Sequence, residues 1–243
     1  MERWSNRVAV VTGASAGIGV EVVKDLLKAN LIVVGLARRL QIMEAYKPDL
    51  PAEQQKRFHT LACDISSLES VNKTFDWIVT TLGGVDILVN NAGILLPGLA
   101  CTMDPLEMQQ LMQINVMGVV FATQRAFKSM KERNVDGHVV LVNSLSGHSV
   151  NIPNIEDSHV NMYAPSKYAI TALTDVYRQE FKGLGAKVKV TSVSPGATDT
   201  SMIDYAKGFG IAMLKAEDVS RCILFALSTP PHVQIREIKV EAA

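Results

Sequence analysis

Short, continuously apolar runs rich in β-branched residues alternate with longer amphipathic stretches along this chain, and few architectures accept that pattern. Residues 7–12, 31–36, 86–90, 138–143 and 188–193 are the runs. A strand that is apolar on both sides of its pleat must be covered on both faces, which is the condition of a buried parallel sheet. Residues 58–62 and 233–240 are weaker candidates, which makes about seven strands in all. A helical pattern occupies 17–29, 67–82, 105–133, 160–183 and 216–227. Strand–helix units joined by right-handed crossovers build a doubly wound α/β sheet with helices on both faces. No repeat, low-complexity tract or Pro/Ser-rich linker interrupts residues 1–243, so a single domain is expected.

The first run leads into Thr12-Gly13-Ala14-Ser15-Ala16-Gly17-Ile18-Gly19 and then a helix. Glycines let the backbone turn tightly and approach a pyrophosphate, and the helix that follows presents free N–H groups and a positive dipole end to the anion. This strand–loop–helix context makes the fold Rossmann-type and the ligand a dinucleotide. The second strand bears on which one. An NAD site places a carboxylate at its end to grip the ribose 2′-OH. Here the strand ends Gly35-Leu36-Ala37-Arg38-Arg39. Two guanidinium groups suit a 2′-phosphate, hence NADP(H); the alternative is a solvated pair that opens the next helix.

Tyr163-Ala164-Pro165-Ser166-Lys167 sets a phenol and an ammonium four residues apart, on one face of a helix. Proline is tolerated in a helix's first turn, so Tyr163 is expected near the N-terminus. A free tyrosine ionises near pKa ~10, too high for a general base at neutral pH. A nearby ammonium and the helix dipole both favour the phenolate.

With these residues in place the chain resembles a short-chain dehydrogenase/reductase over its whole length. The motifs stand in order: the glycine loop, Asp64 after the third strand, Asn90-Asn91-Ala92-Gly93 after the fourth, Asn115 in a helix, Ser144 after the fifth, Tyr163 with Lys167, and Pro195-Gly196 after the sixth. The resemblance implies that Asn115, Ser144, Tyr163 and Lys167 are catalytic. Ser144 would hydrogen-bond the reacting oxygen, and Asn115 would hold a water in the proton relay. It also implies a cofactor site of Gly13, Ser15, Gly17, Ile18, Gly19, Arg38, Arg39, Asp64, Ile65, Asn91, Ala92, Gly93, Tyr163, Lys167, Pro195, Gly196, Thr198 and Thr200. In that site Asp64 would face the adenine, Lys167 the nicotinamide ribose, and 195–200 would close over the nicotinamide. The chain departs from the family in three places. Ser146 competes with Ser144, because a Ser-Ser pair is more usual there. The interval from Ser144 to Tyr163 is long, and Thr198 replaces an apolar residue.

Ile94, Leu95, Leu96, Pro97, Ile152, Pro153, Ile155, Met202, Ile203, Tyr205 and Phe209 lie where a substrate would sit, in the segment after the fourth strand and in the loops 145–161 and 199–215. A lining so apolar suits a lipophilic alcohol or carbonyl compound, contacted by Ser144, Leu95, Tyr163 and Ile203. The start (Met-Glu-Arg-Trp-Ser-Asn-Arg-Val), residues 130–138, Ser144-Leu145-Ser146-Gly147-His148 and Pro231-His232-Val233-Gln234-Ile235 are similar to the group containing insect farnesol dehydrogenases and vertebrate ketosteroid reductases. A terpenoid such as farnesol is the first expectation, a ketosteroid the second, and a non-catalytic cofactor-binding sensor the third. The resemblance also implies a homodimer or homotetramer through the helices of 105–133 and 160–183.

Charge and composition exclude other classes. Lys plus Arg and Asp plus Glu each number 24, for a net charge of zero, so a nucleic-acid partner is not expected. The 3 cysteines and 5 histidines are scattered without ligand spacing, so no metal is expected. A polar start that runs directly into a strand, and no apolar run of about 20 residues, point to a cytoplasmic protein with no membrane segment.

Overall fold

The computed structural model describes residues 1–150, 161–204 and 210–243. Strands β1 (Val8–Thr12), β2 (Ile32–Ala37), β3 (Phe58–Ala62), β4 (Ile87–Asn90), β5 (His138–Val142), β6 (Lys189–Pro195) and β7 (Glu237–Val240) form one sheet in the order β3-β2-β1-β4-β5-β6-β7. Every neighbouring pair is parallel. From β1 the chain winds outward to β3, then returns and winds the other way from β4 to β7. Loops therefore part at the C-terminal ends of β1 and β4, and a crevice for a ligand opens there.

Helices cover both faces. On one side lie α1 (Ile18–Lys28), α2 (Leu40–Tyr46) and α8 (Ala216–Ser228); on the other lie α4 (Leu68–Leu82), α6 (Gly118–Glu132) and α7 (Tyr163–Gly183). Alternate strand residues feed separate cores. Ala9 and Val11 of β1 join Val22, Leu26 and Ile223, while Val8 and Val10 join Phe75, Ala126 and Phe181. The double burial explains why these strands read as unbroken apolar runs. Trp4, 3% exposed, seals one end of the first core, and its Nε1 donates to the Leu227 carbonyl at 2.8 Å. Among the described residues no helix is long and apolar enough to cross a membrane, and no group of His, Cys, Asp or Glu could hold a metal.

The expected elements are present, with four differences. The long helix of 105–133 is divided into α5 (Pro105–Met112), a π-helical turn over Gln113–Met117, and α6. Asn115 sits inside that turn, and its side chain is bonded to the main chain of Ile94. A turn of this kind absorbs an extra residue where a side chain must be re-aimed. Helix α7 begins at Tyr163, because Asn161 and Met162 form the turn that leads into it. The last strand begins at Glu237, four residues late, because Gln234 pairs with β6 through its side chain. Its Oε1 accepts from the Val190 N–H at 3.2 Å and its Nε2 donates to the Val190 carbonyl at 2.8 Å, so a carboxamide takes the place of a strand peptide. Two short helices, α2 and α3 (Ala52–Arg57), fill the connection between β2 and β3.

Asp86, 3% exposed, ties three elements at the N-terminal edge of the sheet. Its Oδ2 accepts from the Val8 N–H at 2.9 Å and its Oδ1 from Arg133 Nη1 at 3.0 Å. Asp86→Ala strands a backbone donor and a half-buried guanidinium, and should lower the stability by about 2–4 kcal/mol. Urea denaturation measures this; a loss below about 0.5 kcal/mol, the size of a surface substitution, would refute the assignment of Asp86 as a structural tie.

Candidate active site

The turn from β1 to α1 is shaped by glycine where no side chain fits. A Cβ on Gly19 would stand 2.3 Å from the Gly13 carbonyl oxygen and 2.7 Å from Asn91 Nδ2. Gly17 has φ +54° and would set a Cβ 2.8 Å from Thr200 Cγ2. The first close approach presses α1 against β1; the second brings the 195–200 segment over the start of the helix. Ser15 and Ile18 are half-buried on the same turn. The ends of β1 and β4 are stitched together. Thr12 Oγ1 accepts from the N–H groups of Asn91 and Ala92, each at 3.0 Å. In return Asn91 Nδ2 donates to the carbonyls of Thr12 at 3.0 Å and Gly13 at 3.2 Å.

Arg38 and Arg39 stand exposed just beyond β2, and neither has a carboxylate partner among the described residues. Tyr46, at the end of α2, donates its hydroxyl to the Ala14 carbonyl at 3.0 Å and stacks on Phe58. It thus ties the helix that follows the arginines to the glycine turn. Burial, with a smaller contribution from Glu21, pushes its phenol pKa above the ordinary value. Asp64 follows β3, with Oδ1 accepting from Ser66 N at 3.0 Å and Ser66 Oγ at 2.7 Å. Ile65 lies against Gly118 at the start of α6.

Tyr163 opens α7, and Lys167 follows on the same face one turn later. The Lys167 ammonium is 5.6 Å from the centroid of the Tyr163 ring. It donates to the Val142 carbonyl, at the end of β5, at 3.0 Å, and the residue is 7% exposed. Burial lowers its pKa to about 8. Ser144, two residues past Val142, is extended, and its Oγ accepts from the Ser146 N–H at 3.1 Å. Ser146 itself belongs to the 3-10 turn Leu145–Gly147. Asn115 approaches from the other side. Its Oδ1 accepts from the Ile94 N–H at 2.8 Å, and its Nδ2 donates to the Ile94 carbonyl at 2.9 Å and to Ser166 Oγ at 3.1 Å. Ser166 Oγ then donates to the Tyr163 carbonyl at 2.6 Å. The structure therefore brings Asn115, Tyr163, Lys167 and the end of β5 into one cluster. The Asn115 side chain is committed to protein groups.

Pro195 ends β6, and Gly196 donates its N–H to the Val240 carbonyl at 2.8 Å. Thr198 is buried where an apolar residue is more usual; its hydroxyl turns back to donate to the Gly196 carbonyl at 3.0 Å. Leu95 is half-buried beyond β4, and Ile203 is half-buried with its N–H on the Thr200 carbonyl at 3.1 Å. Ile152, Pro153, Ile155, Tyr205 and Phe209 lie outside the described residues. Two participants were not foreseen. Asn161, two residues before Tyr163, accepts from the Tyr163 N–H at 3.1 Å, and an asparagine just ahead of a helix is a recognisable capping signal. His148 ends the Ser144 turn with Nε2 at 3.0 Å from Ser194 Oγ and 2.8 Å from Glu237 Oε1, a long-range contact that no local pattern announces.

Residues 7–207 match the family model described as short chain dehydrogenase. The chain belongs to that family. It is 44% identical to a farnesol dehydrogenase of Aedes aegypti, over 99% of this chain and 98% of that one. It is 39% identical to dehydrogenase/reductase SDR family member 11 of Gallus gallus, over 99% and 97%. Among solved structures, a short-chain type dehydrogenase/reductase from Mycobacterium marinum superposes with a TM-score of 0.87 at 26% identity, covering 98% of this chain and 95% of that one. The structure of ElxO with NADP bound superposes with a TM-score of 0.84 at 25% identity, covering 97% of each.

In this short-chain dehydrogenase the buried Lys167 links stability to pH. Its folded pKa of about 8 lies below the ordinary 10.5. Below pH 8 both folded and unfolded chains carry the ammonium, and the folded state bears the whole desolvation cost. Between about 8 and 10.5 the unfolded chain binds the extra proton, so this site makes stability rise with pH. In Lys167→Met the rise is absent. The stability of the natural protein relative to that variant should climb by up to ~3 kcal/mol across this window. Denaturant titrations at several pH values would show it, and a flat difference would contradict a desolvated ammonium.

Proposed function

We propose that this oxidoreductase uses NADP(H) to interconvert a lipophilic alcohol, a terpenoid such as farnesol, and its aldehyde. The observation that carries the reading is the Lys167 ammonium, buried at the end of β5 and 5.6 Å from the ring of Tyr163. A desolvated positive charge at that range favours the phenolate, which brings the tyrosine within reach of neutral-pH proton transfer.

The residues fit a dinucleotide. The glycines of the Gly13–Gly19 turn keep the backbone bare where a Cβ would strike Asn91, Ala92 or Thr200, and α1 begins there with no side-chain cap. Arg38 and Arg39, with no carboxylate in the NAD position, favour a 2′-phosphate. Asp64, Ile65, Asn91, Ala92, Gly93 and the 195–200 segment would hold the rest. When bound, the nicotinamide supplies hydride exchange with the carbon that carries the substrate oxygen. Tyr163 gives its phenolic proton to that oxygen in reduction and takes it back in oxidation. Ser144 Oγ donates a hydrogen bond to the same oxygen as charge develops there. Lys167, held by one carbonyl among the described residues, has donors left for the ribose hydroxyls. Asn115 keeps its side chain on Ile94 and Ser166, so a relay water beside it would bind to main-chain carbonyls.

The 44% identity to a farnesol dehydrogenase supports a terpenoid. Leu95 and Ile203 offer it apolar surface on the segments that flank the site. A homodimer or homotetramer in the cytoplasm completes the reading. Leu106, Met117, Tyr168 and Val176 are 70%, 38%, 43% and 42% exposed on α5, α7 and the π turn, and an open groove of about 430 Å³ is lined by Met108, Gln109, Met112, Gln113, Met117 and Met162.

Turnover followed by nicotinamide absorbance, with NADP and NAD in parallel against farnesol and a ketosteroid, tests the proposal. Farnesol oxidation with NADP is the expected result; a steroid preference would replace the substrate alone. Tyr163→Phe should lower kcat at least about a hundredfold with cofactor affinity unchanged. Replacing Arg38 and Arg39 with Ala should raise the NADP(H) dissociation constant about tenfold or more and leave that of NAD(H) nearly unchanged. An equal effect on both cofactors would remove the 2′-phosphate site.

A further inference from the structure

The segment 94–98 leaves β4 without regular secondary structure and, on the proposed function, forms the wall beside the reacting groups. Among the described residues, the hydrogen bonds to its main chain come from two carboxamides. Asn115 holds both the N–H and the carbonyl of Ile94. Asn161, 9% exposed, donates from Nδ2 to the carbonyls of Leu96 at 2.7 Å and Gly98 at 3.0 Å. Each of these asparagines also grips the first turn of α7. Asn115 does so through Ser166 Oγ at 3.1 Å, and Asn161 through its Oδ1, which accepts from the Tyr163 N–H at 3.1 Å. That N–H lies in the first helical turn, where the backbone has no partner within the helix, and Met162 supplies no side-chain cap.

We propose that Asn161 is a positioning residue that locks the tyrosine of the active site to the wall of the substrate pocket. Both hydrogens of its amide nitrogen go to the wall and its oxygen goes to the tyrosine, so neither can shift without stretching a buried bond. A substrate that displaces the Leu96 carbonyl therefore also displaces the Tyr163 backbone, and substrate shape is read at the proton donor itself. This rests on the reading that Tyr163 transfers the proton and that 94–98 faces the substrate.

Two variants of the full chain separate the two halves of the latch. Asn161→Ser keeps a side-chain oxygen for the Tyr163 N–H but has no amide to donate to the two carbonyls, which releases the wall alone and adds no charge beside the phenol. It should raise KM for farnesol about tenfold and leave kcat within about twofold. Asn161→Ala releases both sides and should also lower kcat about tenfold or more. The NADP dissociation constant should stay constant in both. Equal changes in the two variants, or a lowered Tm with kcat and KM unchanged, would overturn the proposal and leave Asn161 a merely structural cap. Amide hydrogen exchange supplies a readout that needs no turnover. In Asn161→Ser, a variant that keeps the helix cap, peptides spanning 94–98 should exchange faster while those spanning Tyr163 do not change; unaltered exchange at 94–98 overturns the latch. Tyr163→Phe run alongside keeps the failures distinct. Natural kcat in that variant would remove the catalytic reading, and the exchange result would still decide the latch.

Discussion

The stitch between Thr12 and Asn91 is the constraint on which the site depends. Parallel strands β1 and β4 diverge in their connections, so at their C-terminal ends no further ladder can hold them together. One threonine hydroxyl accepting from two successive N–H groups, and one carboxamide donating to two successive carbonyls, replace the missing ladder. Backbone groups stranded at a buried strand end cost about 1–3 kcal/mol each when left unpaired. Satisfying them there therefore stabilises the fold and fixes the crevice in one step. The glycine turn leaves from one side of the stitch and the 94–98 segment from the other.

From that seam the described residues of the site are joined mainly by carboxamides and hydroxyls. Asn115 and Ser166 join the wall to α7, Tyr46 joins α2 to the glycine turn, and Thr198 folds the 195–200 segment onto itself. Neutral hydrogen bonds of this sort are directional without adding a field of their own. A carboxylate in any of these places would compete for the Lys167 ammonium and oppose ionisation of the Tyr163 phenol. The cluster holds geometry while leaving the electrostatics to one lysine.

The sheet was legible in the sequence because its signal is local: a strand covered on both faces is mostly apolar, as β1, β2, β4 and β5 are, while β6, which buries Thr191, Ser192 and Ser194, was marked by its β-branched residues. The glycine turn and the Tyr163–Lys167 spacing were legible for the same reason, since both are short-range geometry. What escaped depends on partners distant in the chain. Nothing near Gln234 indicates that its side chain stands in for a strand peptide against Val190. Nothing near Asn115 indicates that its helix opens into a π turn so that a carboxamide can reach Ile94. Strand β7, whose residues alternate between exposed and half-buried at the sheet edge, lacks the apolar run that marked its neighbours. The proposed substrate side was the least legible, because the apolar residues assigned to it read the same whether they line a pocket or seal a core.

Two buried lysines show why burial alone does not identify the functional one. Lys167 and Lys189 are each 7% exposed, and burial lowers each pKa to about 8. Lys189, at the N-terminal end of β6, points its ammonium at the carbonyls of Thr229, Pro230 and Val233 and at the Thr229 hydroxyl. Its donors are spent on closing the turn after α8, and it is a structural clasp. Lys167, at the opposite edge of the sheet, spends one donor on Val142 and faces a phenol ring. An ammonium has three donors, so Lys167 keeps hydrogen-bonding capacity that the described residues do not consume. Among the described residues a single carbonyl compensates its desolvation cost. A fold optimised only for stability would have satisfied or replaced such a group. That it stands beside Tyr163, at the end of the strand that leads to Ser144, is the physical reason to read this edge of the sheet as the place where the chemistry is done.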